Sequence, residues 1–249
     1  MKLSFRPLLL GLSLCLLQAA SAELPSNWPL PTLPPGANPA TFATPRNDWM
    51  VQFAEILQGV KKQKIDLAFE GDSITAGWRG GGHDVFTSRY SALNAYSFGI
   101  GGDRTEHVLW RLQQGELDGL SPKLIVLMIG TNNISAGNTP QQVAEGIAAI
   151  VKDMRTRCPS SHILLLAIFP RGPVASYPLR AKITETNKLI QPLADDKNVT
   201  YLDIGQKFLA PDGTLSPDIM PDFLHPNAKG YVIWADAIQD IVNQYLKGS

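Results

Sequence analysis

The chain has 249 residues, enough for one domain with a substantial hydrophobic core. Hydrophobic residues make up 44% of it and charged residues 18%, a balance that excludes a disordered chain and fits a folded globular protein. The formal net charge is zero, so the composition offers neither the basic surface expected of a nucleic-acid-binding protein nor an acidic tail.

The first 22 residues have the organisation of a secretory signal peptide. Lys2 and Arg6 precede an apolar run from Leu8 to Leu17, and Ala20-Ser21-Ala22 offers a cleavage site of small residues. The apolar run is too short to span a membrane comfortably. We therefore predict cleavage after Ala22 and export to the periplasm or the medium, with an uncleaved anchor as the alternative.

Cysteine usage agrees with export. Cleavage after Ala22 would remove Cys15 and leave Cys158 as the only cysteine of the mature chain. That chain could form no internal disulfide, so its stability would depend on its core. Neither histidine nor aspartate neighbours Cys158 in the sequence, and we predict a structural role for it, with a reactive thiol as the alternative.

The segment from 23 to 46 is rich in proline. Proline favours an extended path over a helix or a central strand. We expect an arm that lies on the surface of the body, a flexible linker being the alternative. The side chains expected to anchor this arm are apolar: Trp28, Leu30, Leu33 and Phe42.

Strand and helix patterns alternate from residue 47 to the carboxyl end, which predicts one domain over 47–249. The predicted strands are Ile65–Phe69, Ala95–Phe98, Lys123–Gly130, His162–Phe169 and Val199–Ile204. Helices are predicted at about 47–62, 84–92, 103–112, 140–157, 179–194 and 228–246. Unbroken apolar strands are typical of parallel sheets that are covered on both faces. The expected fold is a three-layer α/β/α sandwich around a five-stranded parallel sheet, with flavodoxin-like strand order.

Residues suited to ester hydrolysis follow three of these strands. Gly71-Asp72-Ser73 follows the first, Gly101-Gly102 the second and Gly130-Thr131-Asn132-Asn133 the third, and Asp222-Phe223-Leu224-His225 precedes the last helix. The carboxyl ends of parallel strands meet at one edge of the sheet, where such folds bind ligands. A serine nucleophile needs a base, a group that orients the base and donors for the oxyanion. Taken alone, the first motif favours a serine that merely caps the following helix over a nucleophile.

In order along the chain, these four segments resemble the blocks of the SGNH, or GDSL, hydrolase superfamily. The resemblance spans roughly residues 65–246 and implies an SGNH hydrolase domain over 47–249. It further implies that Ser73 is the nucleophile, His225 the base and Asp222 the residue that orients it. The implied oxyanion donors are the backbone N–H groups of Ser73 and Gly102 and the side-chain amide of Asn132.

A narrower resemblance concerns the segments 98–103, 107–112, 170–172 and 222–225. They look like the catalytic subunits of intracellular platelet-activating-factor acetylhydrolases. This likeness implies a serine esterase that needs no cofactor and removes a short acyl group. No pair of histidines has the spacing of metal ligands, so no metal is expected.

The expected function is that of an exported esterase for short-chain, most plausibly acetyl, O-esters on carbohydrate. A phospholipid or lysophospholipid acyl hydrolase or a thioesterase of the same fold is the alternative. A non-catalytic carbohydrate-binding module on a hydrolase scaffold is the alternative from another class. The expected partner is a small-molecule or carbohydrate ester, with no nucleic acid and no membrane span in the mature chain.

Further predictions concern other polar and aromatic residues. Trp78 is predicted to line the acyl pocket, and His83 to lie at its rim; a loop anchor and an exposed histidine are the respective alternatives. His107 is expected to be packed or to face the pocket, and His162 to lie at the surface. Two more side chains are expected to form hydrogen bonds within their turns: Asp72 and Thr75.

Overall fold

The computed structural model describes residues 28–61, 63–195 and 197–246, so the predicted signal peptide and the start of the proline-rich arm lie outside the described residues. One parallel sheet has the strand order β2-β1-β3-β4-β5, which is the predicted flavodoxin-like order. The predicted α/β fold is therefore confirmed. The strands are β1 (Leu67–Gly71), β2 (Ala95–Ser97), β3 (Leu124–Met128), β4 (His162–Leu166) and β5 (Val199–Leu202).

Helices connect the strands, and two of them have the bounds expected from the sequence, α6 and α8. Thr139 and Pro140 start α6: the Thr139 side chain accepts a hydrogen bond from the Gln142 N–H, and proline suits the first helical position. The α-helices are α1 (Met50–Val60), α2 (Ser73–Ala76), α3 (His83–Tyr90), α4 (Thr105–Gln113), α5 (Thr131–Ser135), α6 (Pro140–Arg157), α7 (Pro178–Ile190) and α8 (Ala228–Leu246).

The sheet separates two apolar clusters, because successive side chains of a strand point to opposite faces. In β1, Leu67 and Phe69 join the cluster that contains Trp78, Tyr90 and residues of α8. Their neighbour Ala68 joins the other cluster, with residues of α1, α4, α6 and α7. All five residues of β1 are buried. Burial on both faces produces the three layers.

Strand β1 runs two residues further than the sequence predicted, to Gly71, which pairs with Met128 of β3. A Cβ atom at position 71 would lie 2.2 Å from the Met128 carbonyl oxygen and 2.4 Å from Thr75 Oγ1. Only glycine fits between these atoms. The chain therefore turns directly behind the strand, and Ser73 becomes the first residue of α2.

The described part of the arm, residues 28–46, lies against α4 and α6. The Thr105 hydroxyl donates to the Ala40 carbonyl oxygen at 2.7 Å, and Trp28 meets Trp110 edge-on with 5.1 Å between ring centroids. Leu30 and Leu33, which were expected to anchor the arm, are instead 63% and 39% exposed. Instead, the arm is held by Trp28, by the buried Ala40 and Pro45, and by polar contacts such as that of Thr105.

Two more expectations concern residues outside the predicted site. His162 was expected at the surface, but it is 5% exposed, and its ring stacks on Tyr245 with centroids 4.2 Å apart. This correction arises because α8 extends over the start of β4 and covers it. Cys158 is buried and unpaired, and burial raises the pKa of its thiol, as a structural role requires. Among the described helices, none has the length and apolar character needed to cross a membrane.

Candidate active site

The turn after β1 presents Ser73 at the carboxyl edge of the sheet. Asp72 is the N-cap of α2, and its Oδ1 atom accepts a hydrogen bond from the Ile74 N–H at 2.9 Å. Ser73 is partly exposed, whereas both of its sequence neighbours are buried. The cap thus fixes the turn, and the only side chain of these three that can meet a substrate is the serine.

Ser73 is in hydrogen-bond contact with the histidine that the sequence placed 152 residues away. Its Oγ atom lies 2.8 Å from His225 Nε2, and His225 Nδ1 lies 2.6 Å from Asp222 Oδ2. An ionised Asp222 accepts a hydrogen bond from the Nδ1–H group of His225, so the unprotonated Nε2 is free to accept the proton of Ser73. The three predicted catalytic residues therefore form one continuous hydrogen-bonded relay.

A tight turn orients this acid–base pair. Asp222 Oδ1 accepts hydrogen bonds from the backbone N–H groups of Leu224 and His225, at 3.1 and 2.7 Å. Phe223 adopts the left-handed conformation with φ +58°, which is uncommon for a bulky residue. Its carbonyl oxygen accepts a hydrogen bond from the Gly172 N–H at 2.8 Å, which ties the turn to the loop after β4.

The pKa of Asp222 suits its role as a permanent anion. Burial by itself would raise this pKa, but the hydrogen bonds from the backbone and side chain of His225 outweigh burial and lower it. The carboxylate is therefore ionised at neutral pH, and it can stabilise the positive charge that His225 acquires when it removes a proton.

The loop from Gly99 to Asp103 brings a second predicted donor to the same edge. The Ile100 N–H donates to the Gly71 carbonyl oxygen at 3.2 Å, and a Cβ atom on Gly99 would lie 2.4 Å from the Ala76 nitrogen. Gly102 adopts φ +78°, which favours glycine. The loop is thus packed against the turn of Ser73, and within the described residues the Gly102 N–H donates no hydrogen bond.

Asn132 supplies the third predicted donor from the start of α5. Its Nδ2 atom donates to the Asp103 carbonyl oxygen at 2.9 Å, which leaves the second amide hydrogen for a ligand. Its neighbour Asn133 is fully buried, and its Nδ2 donates to Glu106 Oε2 at 2.9 Å. The two adjacent asparagines therefore have different surroundings, one at the site and one in the core.

The two substrate-pocket predictions have different outcomes. Trp78 is fully buried, and its indole packs among aromatic rings, with centroids 4.5 Å from Tyr231 and 4.9 Å from Trp234. A side chain without accessible surface cannot line a pocket, so the Trp78 prediction is wrong and the loop-anchor alternative holds. His83 is exposed at the start of α3 in a loop beside Pro226, and its role at the rim stays a prediction.

Three other side chains near the site were not predicted to take part in catalysis. His107 is buried, as expected, and accepts a hydrogen bond from the Arg104 N–H at 3.0 Å; burial lowers its pKa. Asp72 forms the hydrogen bond expected within its turn, and burial raises its pKa to about 7. The Thr75 hydroxyl, in contrast, finds no partner among the described residues.

A buried ionic cluster beneath the site was not predicted. It consists of Glu70, Asp103, Arg111 and Glu116. Arg111 is fully buried and contacts Glu70 Oε1 through Nη2 at 2.6 Å, Asp103 Oδ2 through Nε at 3.0 Å, and Glu116 through Nη1. The only sequence signal was Glu70, a charged residue directly after an apolar strand pattern, and nothing in the sequence indicated its partner 41 residues away.

Burial raises the pKa of two of these carboxyl groups, that of Asp103 to about 7 and that of Glu116 well above its ordinary value. Arg111 opposes both shifts, and the neighbouring Glu70 carboxylate adds to them. The Gly71 N–H also donates to Glu70 Oε1 at 2.9 Å. The buried ionic cluster therefore joins the strand that leads to Ser73 to the loop that carries Gly102.

The fold and this geometry define the class as a serine hydrolase with an α/β/α sandwich. Residues 69–233 match the model of the GDSL-like Lipase/Acylhydrolase family. Subunit alpha2 of platelet-activating factor acetylhydrolase IB from Rattus norvegicus is 38% identical over 218 residues, covering 85% of this chain and 93% of the relative. Subunit alpha1 from Homo sapiens is 36% identical over 216 residues, covering 84% and 91%.

Solved structures show the same fold. A GDSL-like lipase from Bacteroides thetaiotaomicron has a TM-score of 0.61 at 24% identity, covering 79% of this chain and 96% of the other. An acetylxylan esterase from Geobacillus stearothermophilus has a TM-score of 0.56 at 19% identity, covering 70% and 93%. The chain belongs to the GDSL-like lipase/acylhydrolase family and is an ester hydrolase.

Proposed function

We propose that this chain is an exported serine esterase that removes short acyl groups, above all acetyl, from carbohydrate. The observation that carries the catalytic part is the relay of 2.8 and 2.6 Å from Ser73 through His225 to Asp222. The loop that carries Gly102 packs against the turn of Ser73, and Asn132 is hydrogen-bonded to the Asp103 carbonyl oxygen of the same loop. Nucleophile, base, orienting acid and donors are the complete set that acyl transfer requires.

The proposed reaction has two halves. Ser73 Oγ attacks the ester carbonyl while His225 Nε2 takes the hydroxyl proton, and the N–H groups of Ser73 and Gly102 with the Asn132 amide hold the oxyanion. The intermediate collapses when His225 returns the proton to the leaving alcohol, which leaves the acyl group on Ser73. A water molecule, deprotonated by His225, then releases the acid and restores the serine.

The acetyl preference is supported by the names of relatives with different substrates. One group is named for acetyl removal from platelet-activating factor and another for acetyl removal from xylan. The carbohydrate part of the proposal is supported by the signal-peptide pattern of residues 1–22, since polysaccharides are extracellular substrates. A phospholipid, lysophospholipid or thioester substrate is the second candidate, favoured by the greater identity to the lipid-acting relatives.

Acyl length is tested with p-nitrophenyl esters of increasing chain length. We expect kcat/KM to be largest for acetate and to fall as the chain grows. Ser73→Ala measured in parallel gives the background. A maximum at a long acyl chain would refute the short-acyl proposal and favour a lysophospholipase.

The alcohol is tested by acetate release from acetylated xylan and from an acetylated phospholipid at equal ester concentration. The proposal expects faster release from the polysaccharide. Faster release from the phospholipid would assign the chain to the second candidate.

Labelling by a fluorophosphonate distinguishes an enzyme from a non-catalytic binding module. If Ser73 stayed unlabelled in folded protein, the result would favour the binding module.

Export is tested by expressing the full chain and determining the location and the amino terminus of the protein that is recovered. Expressed with its first 22 residues, the chain should be recovered outside the cytoplasm with Glu23 at its amino terminus. A chain that keeps Met1 and remains in the cytoplasm would contradict the export proposal. That result would leave the esterase proposal intact.

A further inference from the structure

Arg46 reaches the oxyanion loop from the arm, outside residues 69–233 that match the family. Its Nη1 atom donates to the Gly101 carbonyl oxygen at 2.9 Å and lies 3.4 Å from Asp103 Oδ1. A Cβ atom at position 102 would lie 2.8 Å from the same nitrogen. The guanidinium group therefore contacts the loop directly before, at and directly after Gly102.

Asp103 is held from the opposite side as well. Arg111 Nε contacts Asp103 Oδ2 at 3.0 Å, so the carboxylate lies between two guanidinium groups. The backbone carbonyl oxygen of Asp103 accepts the hydrogen bond from Asn132 Nδ2 at 2.9 Å. The position of this one residue therefore affects both Gly102 on one side and the orientation of Asn132 on the other.

We propose that Arg46 is a positioning residue for the oxyanion hole. The Gly101-Gly102 pair has no side chains to pack, and glycine backbone is permissive, so contacts from elsewhere must set its conformation. Donors accelerate acyl transfer only when they already point to where the negative charge develops. Arg46 fixes the loop in that state. This inference rests on the proposed esterase function.

The surroundings of Arg46 make it a clean site for substitution. Its side chain is 23% exposed and forms an ion pair with Asp48, which is 66% exposed, at 2.6 Å. After Arg46 is replaced, Asp103 remains paired with Arg111, so no buried carboxylate is left without a cationic partner. Solvent can also enter the vacated space, which allows rescue by a small cation.

The test compares Arg46→Met with the wild type on p-nitrophenyl acetate. We expect kcat to fall about 10-fold and KM to change less than about 2-fold, because displaced donors affect mainly the transition state. Affinity for a trifluoromethyl ketone that forms a tetrahedral adduct with the serine should fall by a similar factor. Millimolar guanidinium should restore part of the kcat that Arg46→Met loses. The kcat of Arg46→Lys should lie between the values of Arg46→Met and the wild type.

The matched control is Arg89→Met. Arg89 of α3 is more exposed than Arg46, at 38% against 23%, and likewise pairs with an aspartate, Asp236 of α8, at 2.7 Å. Its loss should change neither kcat nor the affinity for the ketone. The proposal is overturned if Arg46→Met keeps the wild-type kcat. It is also overturned if the variant loses activity only in proportion to its loss of folded protein and guanidinium restores no activity. Absence of esterase activity in the wild type would instead refute the function on which the inference rests.

Discussion

The relay and the buried ionic cluster lie on either side of the same turn, but their surroundings differ completely. The side chains of His225 and Asp222 are 42% and 55% exposed, whereas Arg111 is fully buried. This exposure is what the proposed function requires, because a substrate would have to reach Ser73. The buried ionic cluster touches no substrate and can act only through the backbone that it holds.

This difference in burial also separates the acid groups. Hydrogen bonds lower the pKa of Asp222, whereas burial raises that of Asp103 to about 7. An exposed pair contributes little to stability, while breaking a buried pair leaves a desolvated charge. Substitutions in the relay should therefore change rate, and substitutions in the buried ionic cluster should change stability. Four predictions test this comparison, from the largest expected effect to the smallest.

Ser73→Ala should lower kcat by about 10⁴-fold or more while Tm moves by less than about 2 °C. The hydroxyl is part of the exposed relay, so its loss removes chemistry and little packing. Ester hydrolysis and thermal unfolding measure the two effects. Ser88→Ala, which removes a hydroxyl bonded to the Val85 carbonyl oxygen on α3, should alter neither. Retained hydrolysis by the Ser73 variant would refute the nucleophile.

Arg111→Met should lower the free energy of unfolding by about 3–5 kcal/mol, because three carboxyl groups lose their common buried cation. Urea unfolding measures the loss. Arg157→Met is the control: Arg157 also contacts two carboxylates, Asp118 and Asp153, but it is 22% exposed and should lose about 1 kcal/mol or less. If the two variants lost the same free energy of unfolding, the expected difference between buried and partly exposed ion pairs would be wrong.

Asn132→Ala should lower kcat about 10²–10³-fold with a small change in stability. Asn133→Ala should do the reverse and lower the free energy of unfolding by about 1–3 kcal/mol, because the Thr105 N–H and Glu106 lose a buried partner. Kinetics per folded molecule and urea unfolding separate the effects. If the Asn133 variant lost the rate and the Asn132 variant kept it, the oxyanion assignment would be wrong.

Asp72→Asn should become stabilising relative to the wild type as pH rises. Burial raises the pKa of Asp72 from 3.8 to about 7, so between these values the unfolded chain loses a proton that the folded chain keeps. Wild-type stability therefore falls with pH across this window and levels off above pH 7. Asparagine keeps an oxygen for the Ile74 N–H and does not titrate.

The Tm of the Asp72→Asn variant minus that of the wild type should rise by about 3 °C or more from pH 4 to pH 7 and then stay constant. Groups common to both proteins largely cancel in this difference. A difference that is flat with pH would show that Asp72 is ionised in the folded state throughout.

The errors of the sequence interpretation have a common origin. Trp78 was expected to line the acyl pocket, but Tyr231 and Trp234 of α8 pack against its ring and bury it. His162 was expected at the surface because its strand follows polar residues, but α8 covers it. Leu30 and Leu33 were expected to anchor the arm because they are apolar. Each outcome depends on what packs against the residue from elsewhere in the chain.

The amino-acid sequence alone predicted the five strands, the six longer helices, the glycine-dependent turn before Ser73 and the four segments proposed to carry the site, but not the short helices α2 and α5. It could do so because periodicity and turn chemistry are local properties, and because parallel strands place their carboxyl ends together. Only the tertiary structure decided the contacts between distant charges, such as Glu70 with Arg111 and Arg46 with Asp103. Those contacts join residues 41 and 57 positions apart, over which no local pattern extends.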